Sequence, residues 1–413
     1  MASAPAQIAP AMDAAVKAEA RFEPRSLDAL NFLLSDAKGA LGPYLDVFLV
    51  TEQGWARSAV GLIKTVEGLL GLAFRTPLGA LIDRTEAKRA LLATAIAAMG
   101  LGAIAIYAWP RFWPVLFANS VLAIAGDLAA PAVAAITLGV VARTSLAKRL
   151  GRNAAFDHAG NVAIAAIAGA VGFAFRQSAV FLLVPLFAVL AIMAAFSIPA
   201  QAIDHNNARG GLAPQAMGSQ QWWQTLLDNP ALLTYGCCAA LFHFANAPLL
   251  PLVGQKLAFA NMQFATAMMS ACIIGAQAVM LPVALLVGGT ADRVGRKPIL
   301  LAGFLILPLR AFLYTASDDP VWLLCVQLLD GIGAGIFGAI TPLVVADIMR
   351  GTGRFNLAQG AVGTMQGIGA STSGVVAGLI VDRLGYSAGF WALGTVALAA
   401  LCLLVLFMPE TRS

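Results

Sequence analysis

Twelve apolar runs, each long enough to cross a lipid bilayer, constrain this chain more than any motif in it. Crossing about 30 Å of hydrocarbon takes about 20 residues of helix. Runs of that order lie at approximately 27–50, 58–81, 90–109, 113–140, 154–175, 178–199, 231–254, 264–288, 298–315, 321–346, 356–380 and 388–408. Turn signals separate them at Thr51–Gly54, Asp83–Lys88, Trp109–Pro110, Ala142–Arg152, Arg176–Ser178, Lys256–Asn261, Asp292–Pro298 and Ser317–Pro320. Backbone polar groups in lipid must be satisfied within the segment, so the spans are expected to be helices and the fold all-α. Of the 413 residues, 60% are hydrophobic and 11% charged. A soluble globular chain averages about 25% charged, so a soluble enzyme, a nucleic-acid-binding domain and a disordered chain are excluded.

The segment 200–230 is different. Asp204, His205, Asn206 and Asn207 are followed by Gly210, Gly211 and a Gln-rich run. It reads as a polar linker dividing six spans from six, with Trp222 and Trp223 as interfacial anchors before the seventh. The expected organisation is a tail at 1–26, a six-helix bundle at 27–199, the linker at 200–230, a second six-helix bundle at 231–408, and a tail at 409–413. Met1–Glu23 is Ala/Pro-rich with mixed charge and has no basic-then-apolar signal peptide pattern, so the first span is expected to act as the insertion signal. Seventeen of the 26 Lys and Arg residues fall on the side of the termini, five on the opposite side (Arg57, Arg111, Arg176, Lys256, Arg383) and four within spans. The positive-inside rule therefore predicts a multi-pass protein of the cell (inner) membrane with both termini and the linker cytoplasmic. The net charge of +5 is then topological, and no nucleic-acid partner is expected. The five cysteines, Cys237, Cys238, Cys272, Cys325 and Cys402, lie in apolar stretches without metal-ligand spacing and are expected to be buried structural thiols.

The two halves repeat. Gly79-Ala-Leu-Ile-Asp83-Arg84-Thr-Glu-Ala-Lys88-Arg89 follows the second span, and Gly288-Gly-Thr-Ala-Asp292-Arg293-Val-Gly295-Arg296-Lys297 follows the eighth. The 209-residue offset that aligns Asp83 with Asp292 also brings Gly126 onto Gly335 and Gly169 onto Gly378. A duplicated six-helix unit is a common plan of secondary transporters. These residues resemble the major facilitator superfamily over nearly the whole chain, whose loop motif reads Gly-x-x-x-Asp-Arg-x-Gly-Arg-Lys. The resemblance implies two pseudo-symmetric six-helix bundles, transport by alternating access, and a gate built from Gly79, Asp83, Arg84, Gly288, Asp292 and Arg293. In the family the first-half Asp meets the eleventh helix. The glycines are expected to let helices approach closely, and the carboxylates to cap the positive N-terminus of a neighbouring helix. The first copy departs from the motif at Glu86 and Ala87, where Gly and Arg are usual, so its turn is expected to be looser. The fifth span lacks the proline and spacing of the Gly-x-x-x-Gly-Pro-x-x-Gly-Gly element of drug antiporters. Pro409-Glu-Thr-Arg412 is similar to the ending of sugar-type members.

Ionisable groups inside spans are expensive and mark pathways or partners. Asp36 and Arg75 both stand roughly 12 Å above the same boundary, so they could pair between adjacent antiparallel helices. Lys38 cannot share Asp36's direction, since two residues turn a helix by roughly 200°. Lys64, Gly68, Gly71 and Arg75 form one stripe, which faces protein or water. Lys64 and Asp46, nearer the outer end, read as structural or rim residues; Glu67 is a further ionisable group of the second span. Asp157, His158 and Asn161 cluster on the fifth span, where Asp with His suits proton exchange, although a capped helix start accounts for them equally well. His243 is followed by Asn246, Pro248 and Pro251, the pattern of a discontinuous transporter helix, or is a satisfied core histidine. Asp127 and Asp330 are deep acids that must be paired or carry a proton.

The expected function is a non-enzymatic secondary active transporter of a small organic solute. It is expected to be driven by protons, with no other cofactor and no bound metal, to be monomeric in lipid, and to lean towards export. The cations Lys38 and Arg75 motivate an anionic solute, and Asp127 is the first choice for the coupling acid. An importer (symporter or uniporter), a sensor or chaperone with a transporter fold, and a membrane-embedded enzyme are the alternatives. No nucleotide-binding Lys loop stands out in the sequence to suggest drive by ATP.

Overall fold

The computed structural model describes residues 25–35, 41–141, 146–208, 222–350, 352 and 355–412. The first half holds α1 (Arg25–Leu34), α2 (Leu41–Thr51), α3 (Arg57–Arg84), α4 (Lys88–Ala108), α5 (Phe112–Val140), α6 (Leu146–Ala174) and α7 (Leu183–Ser197). The second holds α8 (Pro230–Asn246), α9 (Leu249–Ala260), α10 (Ala265–Val294), α11 (Arg296–Leu313), α12 (Pro320–Ile348), α13 (Phe355–Leu384) and α14 (Tyr386–Phe407). The first span is thus carried by α1 with α2, and the seventh by α8 with α9. The α8–α9 junction falls at Ala247–Pro248, where proline has no N–H to continue the helical ladder.

Local chemistry sets several ends. Asn229 accepts the N–H of Leu232 at 3.1 Å, and Pro230 follows at the first helical position. Asp319 accepts the N–H groups of Val321 and Trp322 at 2.7 and 3.1 Å ahead of α12. Gly295 and Gly385 end α10 and α13 at φ +100° and +84°, a region that only glycine enters without strain. In the first motif copy, which has Glu86 at this position, α3 stops at Arg84 and the chain needs residues 85–87 before α4 begins. The turn is longer, as its composition predicts.

The helices outrun the apolar stretches that announce them. Asp292 lies inside α10 and not in a loop, and the loop expected over 142–152 is helical from Leu146, with 142–145 outside the described residues. Helical hydrogen bonding continues past the hydrocarbon edge, which hydropathy alone does not register. Among the described residues, nine helices are long and apolar enough to cross a membrane.

Among the described residues apolar packing falls into three buried clusters. One runs from Leu226 to Met408 and another from Leu27 to Ala208. The third joins α2, α3 and α4 to Ala258, Ala265 and Met269 of the second half. Ile203 seats over Gly139, so the start of the linker is packed; residues 209–221 and the Trp222 side chain lie outside the described structure. Leu285, Trp113, Phe117 and Leu406 are among many large apolar side chains left on the outer surface, as a lipid-facing belt requires. Cys238 and Cys272 are buried, but Cys325 and Cys402 are exposed, against expectation. On the lipid side an apolar thiol needs no burial.

The start of α1 and the end of α14 lie at one face, here called the near face. Asp28 of α1 pairs there with Arg149 and Arg152 of α6, each at 2.7 Å. Arg296 bridges Asp292 and Asp347, at 2.8 Å each. The expected cap is different: Asp292 is a largely exposed partner of Arg296, and it is Glu410 that accepts the N–H groups of Arg296 and Lys297 at 2.9 and 3.0 Å. Partial burial opposes ionisation of Glu410, yet the N–H groups of Arg412, Arg296, Lys297 and Thr411 hold its carboxyl below the usual range. The contribution is fully present above pH 4.5, the ordinary value, and fades as pH falls through the lower folded value. Glu410→Gln is expected to lose about 1 kcal/mol of stability. Thermal unfolding in detergent at pH 7 and pH 3 checks this: the difference from wild type should shrink at the lower pH.

Candidate functional site: a charged cavity between the two halves

Small residues bring the halves together at the far face. A Cβ on Gly61 of α3 would lie 2.2 Å from the Gly374 carbonyl oxygen of α13, and one on Gly68 would strike Ser371. Gly172 and Gly169 of α6 meet Thr266 and Ser270 of α10 in the same way. The hydroxyls of Tyr44 and Ser270 share a hydrogen bond at 2.7 Å. Further along α3, Leu72 still touches Gly367. Continuing that antiparallel register places Gly79 opposite Gly360, yet a Cβ on Gly79, Gly288, Gly360 or Gly363 would meet nothing within 4 Å. Gly79 and Gly288 therefore mark no close approach, contrary to expectation. Among the described residues nothing stands beside them, and the close contacts of α3 with α13 lie towards the far face. Arg84 and Arg293 are exposed there, and the Asp83 side chain lies outside the described residues.

Between the halves lie two adjoining cavities of about 410 and 610 Å³. Both are lined by Gly42, Lys64, Glu67, Gly68, Ala370 and Ser371. On the first-half wall, Lys64 Nζ stands 3.1 Å from Glu67 and 3.9 Å from Asp46. Asn119 donates its amide to Glu67. Asp46 is buried, and among the described residues its Oδ1 accepts no hydrogen bond. The sequence places this cluster at the rim; the structure puts it in the cavity wall.

The facing wall is built by Arg310, Asp330 and Asn246. Arg310 of α11 is 1% exposed, and its guanidinium donates to the carboxylate of Asp330 and the amide oxygen of Asn246. Gln327 donates to the other Asp330 oxygen at 3.1 Å and accepts from Tyr314. Asp330 is therefore one half of an ion pair and not an isolated acid. Sequence reasoning counted Arg310 only as a cation within a span; the signal overlooked was an Arg and an Asp deep in consecutive antiparallel helices. Paired walls of this kind offer donors and acceptors without a large excess of either charge.

Other expected site residues are scattered. Asp127 lines the larger cavity, its Oδ2 against Gly71. His243 bonds Ala239 O at 3.0 Å through Nδ1 and packs 4.8 Å from Phe337, lining neither cavity; it is a satisfied core histidine. His158 is exposed and Asp157 half-buried, and neither lines these cavities. Neighbours in a helix point about 100° apart, which is why the two do not act as one cluster. Asp36 and Lys38, and the Arg75 side chain, lie outside the described residues.

A family profile described as Major Facilitator Superfamily matches residues 27–286 and 275–413. An uncharacterized MFS-type transporter of Mycobacterium tuberculosis is 46% identical over 94% of this chain and 93% of its own length. A chloramphenicol resistance protein of Pseudomonas aeruginosa is 30% identical over 31% of this chain and 30% of its own. The crystal structure of the nucleoside transporter NupG superposes with a TM-score of 0.78 at 12% identity, covering 94% of this chain and 99% of that one. A D-xylose–proton symporter gives 0.70 at 15%, covering 94% and 97%. Helices, cavity and relatives together define a multi-pass integral membrane transporter. The chain belongs to the Major Facilitator Superfamily.

Proposed function

We propose that this protein carries a neutral, hydrophilic solute together with a proton through the cavity between Lys64 and Arg310. The carrying observation is the charge pattern of the smaller cavity. Its lining acids, Asp46, Glu67 and Asp330, face the lining bases Arg57, Lys64 and Arg310, and each base already contacts a carboxylate. An anionic solute would have to displace one of those carboxylates, whereas hydroxyl and amide groups can join the existing networks. The NupG and D-xylose–proton symporter likenesses suit such a solute. With both termini cytoplasmic, as the cation bias predicts, the near face is the cytoplasmic one. Asp46 replaces Asp127 as first choice for the proton, because it shares one ammonium with a second carboxylate.

Export in exchange for protons is a second reading, favoured by the partial match to a chloramphenicol resistance protein. One experiment tests transport itself. Proteoliposomes preloaded with excess unlabelled uridine or D-xylose should transiently accumulate the same labelled solute by counterflow. If uridine, D-xylose and chloramphenicol all enter no faster than into protein-free vesicles, the neutral-solute reading is wrong.

A further inference from the structure

The far-face closure is not made by small residues alone. The end of α13 reads Gly378-Leu-Ile-Val-Asp382-Arg383-Leu-Gly385, a third copy of the Gly-x-x-x-Asp-Arg-x-Gly pattern, this time at the face opposite the other two. Its carboxylate crosses to the other half. Asp382 Oδ1 accepts the N–H of Arg57 at 3.0 Å, and Oδ2 accepts that of Ser58 at 2.8 Å, so Asp382 caps the N-terminus of α3. The Arg57 guanidinium stands 3.7 Å from the same carboxylate. It also donates to Tyr386 at 3.2 Å, and it lies 5.5 and 5.2 Å from the Phe259 and Tyr386 ring centres. Tyr386 in turn donates to Gln255 of α9 at 3.2 Å. A Cβ on Gly378 would lie 2.5 Å from Arg57 O, so this cap needs glycine at the motif's first position.

From this arrangement we infer that Asp382 and Arg57 form a latch holding the far face shut, with the α3 N-terminus as its keeper. A carboxylate at a helix N-terminus gains from the exposed N–H groups and the helix dipole together. Opening the far face separates α3 from α13, and both bonds and the ion pair must then be replaced by water. Arg57 and Gln255 also line the smaller cavity, so the latch is its far wall. A solute that draws on Arg57 from inside weakens the latch from the cavity side. That consequence rests on the proposed alternating access; the closure itself does not.

The test measures conformation and needs no solute. In protein lacking the five native cysteines, spin labels are placed on the far face at Arg111→Cys in the first half and Asp318→Cys in the second. Electron–electron distances are then recorded on the purified protein. Asp382→Asn, which keeps the shape and loses the charge, is expected to raise the ratio of the long-distance to the short-distance population about tenfold. Arg57→Ala, which leaves the N–H donors and removes the cation, should move it the same way, and it carries the test alone if Asp382→Asn does not fold. Asp382→Glu should stay closer to the parent than Asp382→Asn. A ratio within about threefold of the parent in the folded charge-removing variants overturns the latch, whatever the transport assays give.

Discussion

Arg310→Met is expected to destabilise the folded protein by about 3–5 kcal/mol and to abolish solute movement. Arg310 is 1% exposed and is the cation that balances Asp330. Methionine fills similar space but leaves the carboxylate with Gln327 as its partner from this network, in a setting where an uncompensated charge is costly. Arg310→Met with Asp330→Leu should recover much of that stability, because replacing a buried pair by apolar groups is often neutral. Transport should not return with it, since the polar wall is gone. Thermal unfolding in detergent beside counterflow separates the two effects. A single variant as stable as wild type would show that the pair does not hold α11 against α12.

Asp46→Asn is expected to remove proton-driven accumulation while leaving counterflow in place. The cluster contains two carboxylates and one ammonium, with Lys64 nearer Glu67 at 3.1 Å than Asp46 at 3.9 Å. With all three ionised, one negative charge remains in the membrane interior, and a proton on Asp46 neutralises it. Binding the proton with the solute and releasing both at the other face gives coupling. One proton per solute sets an accumulation of about tenfold for each pH unit imposed. The Asp46→Asn variant should leave that ratio near one. Asp127→Asn is the comparison: it should retain accumulation, and loss there with retention in Asp46→Asn would return the coupling role to Asp127.

The fold was legible because lipid demands long apolar helices and because the motif occurs at equivalent places in both halves. Helix ends were less legible, since α10 and α13 continue through Asp292 and Asp382, where hydropathy has already fallen. The site was read in pieces. Asp330 and Asn246 stand out in the sequence but their partner Arg310 does not, because pairing across helices depends on rotation and packing that one sequence does not state. Asp46 and Lys64 read as rim residues when counted along their helices, because counting gives depth and not the direction in which a side chain points. The Gly378–Gly385 copy was matched to the first half only through Gly169. Its Asp382 gains meaning when α13 is seen against the start of α3.

Proton movement measured in pyranine-loaded proteoliposomes tests the central claim most directly. With uridine or D-xylose added outside at equal pH, wild-type vesicles should acidify inside as solute enters, and Asp46→Asn vesicles should not acidify, although when preloaded with the same solute they exchange it. Solute entry with no pH change in the wild type, or the same acidification in Asp46→Asn, would contradict proton-coupled transport through this cavity.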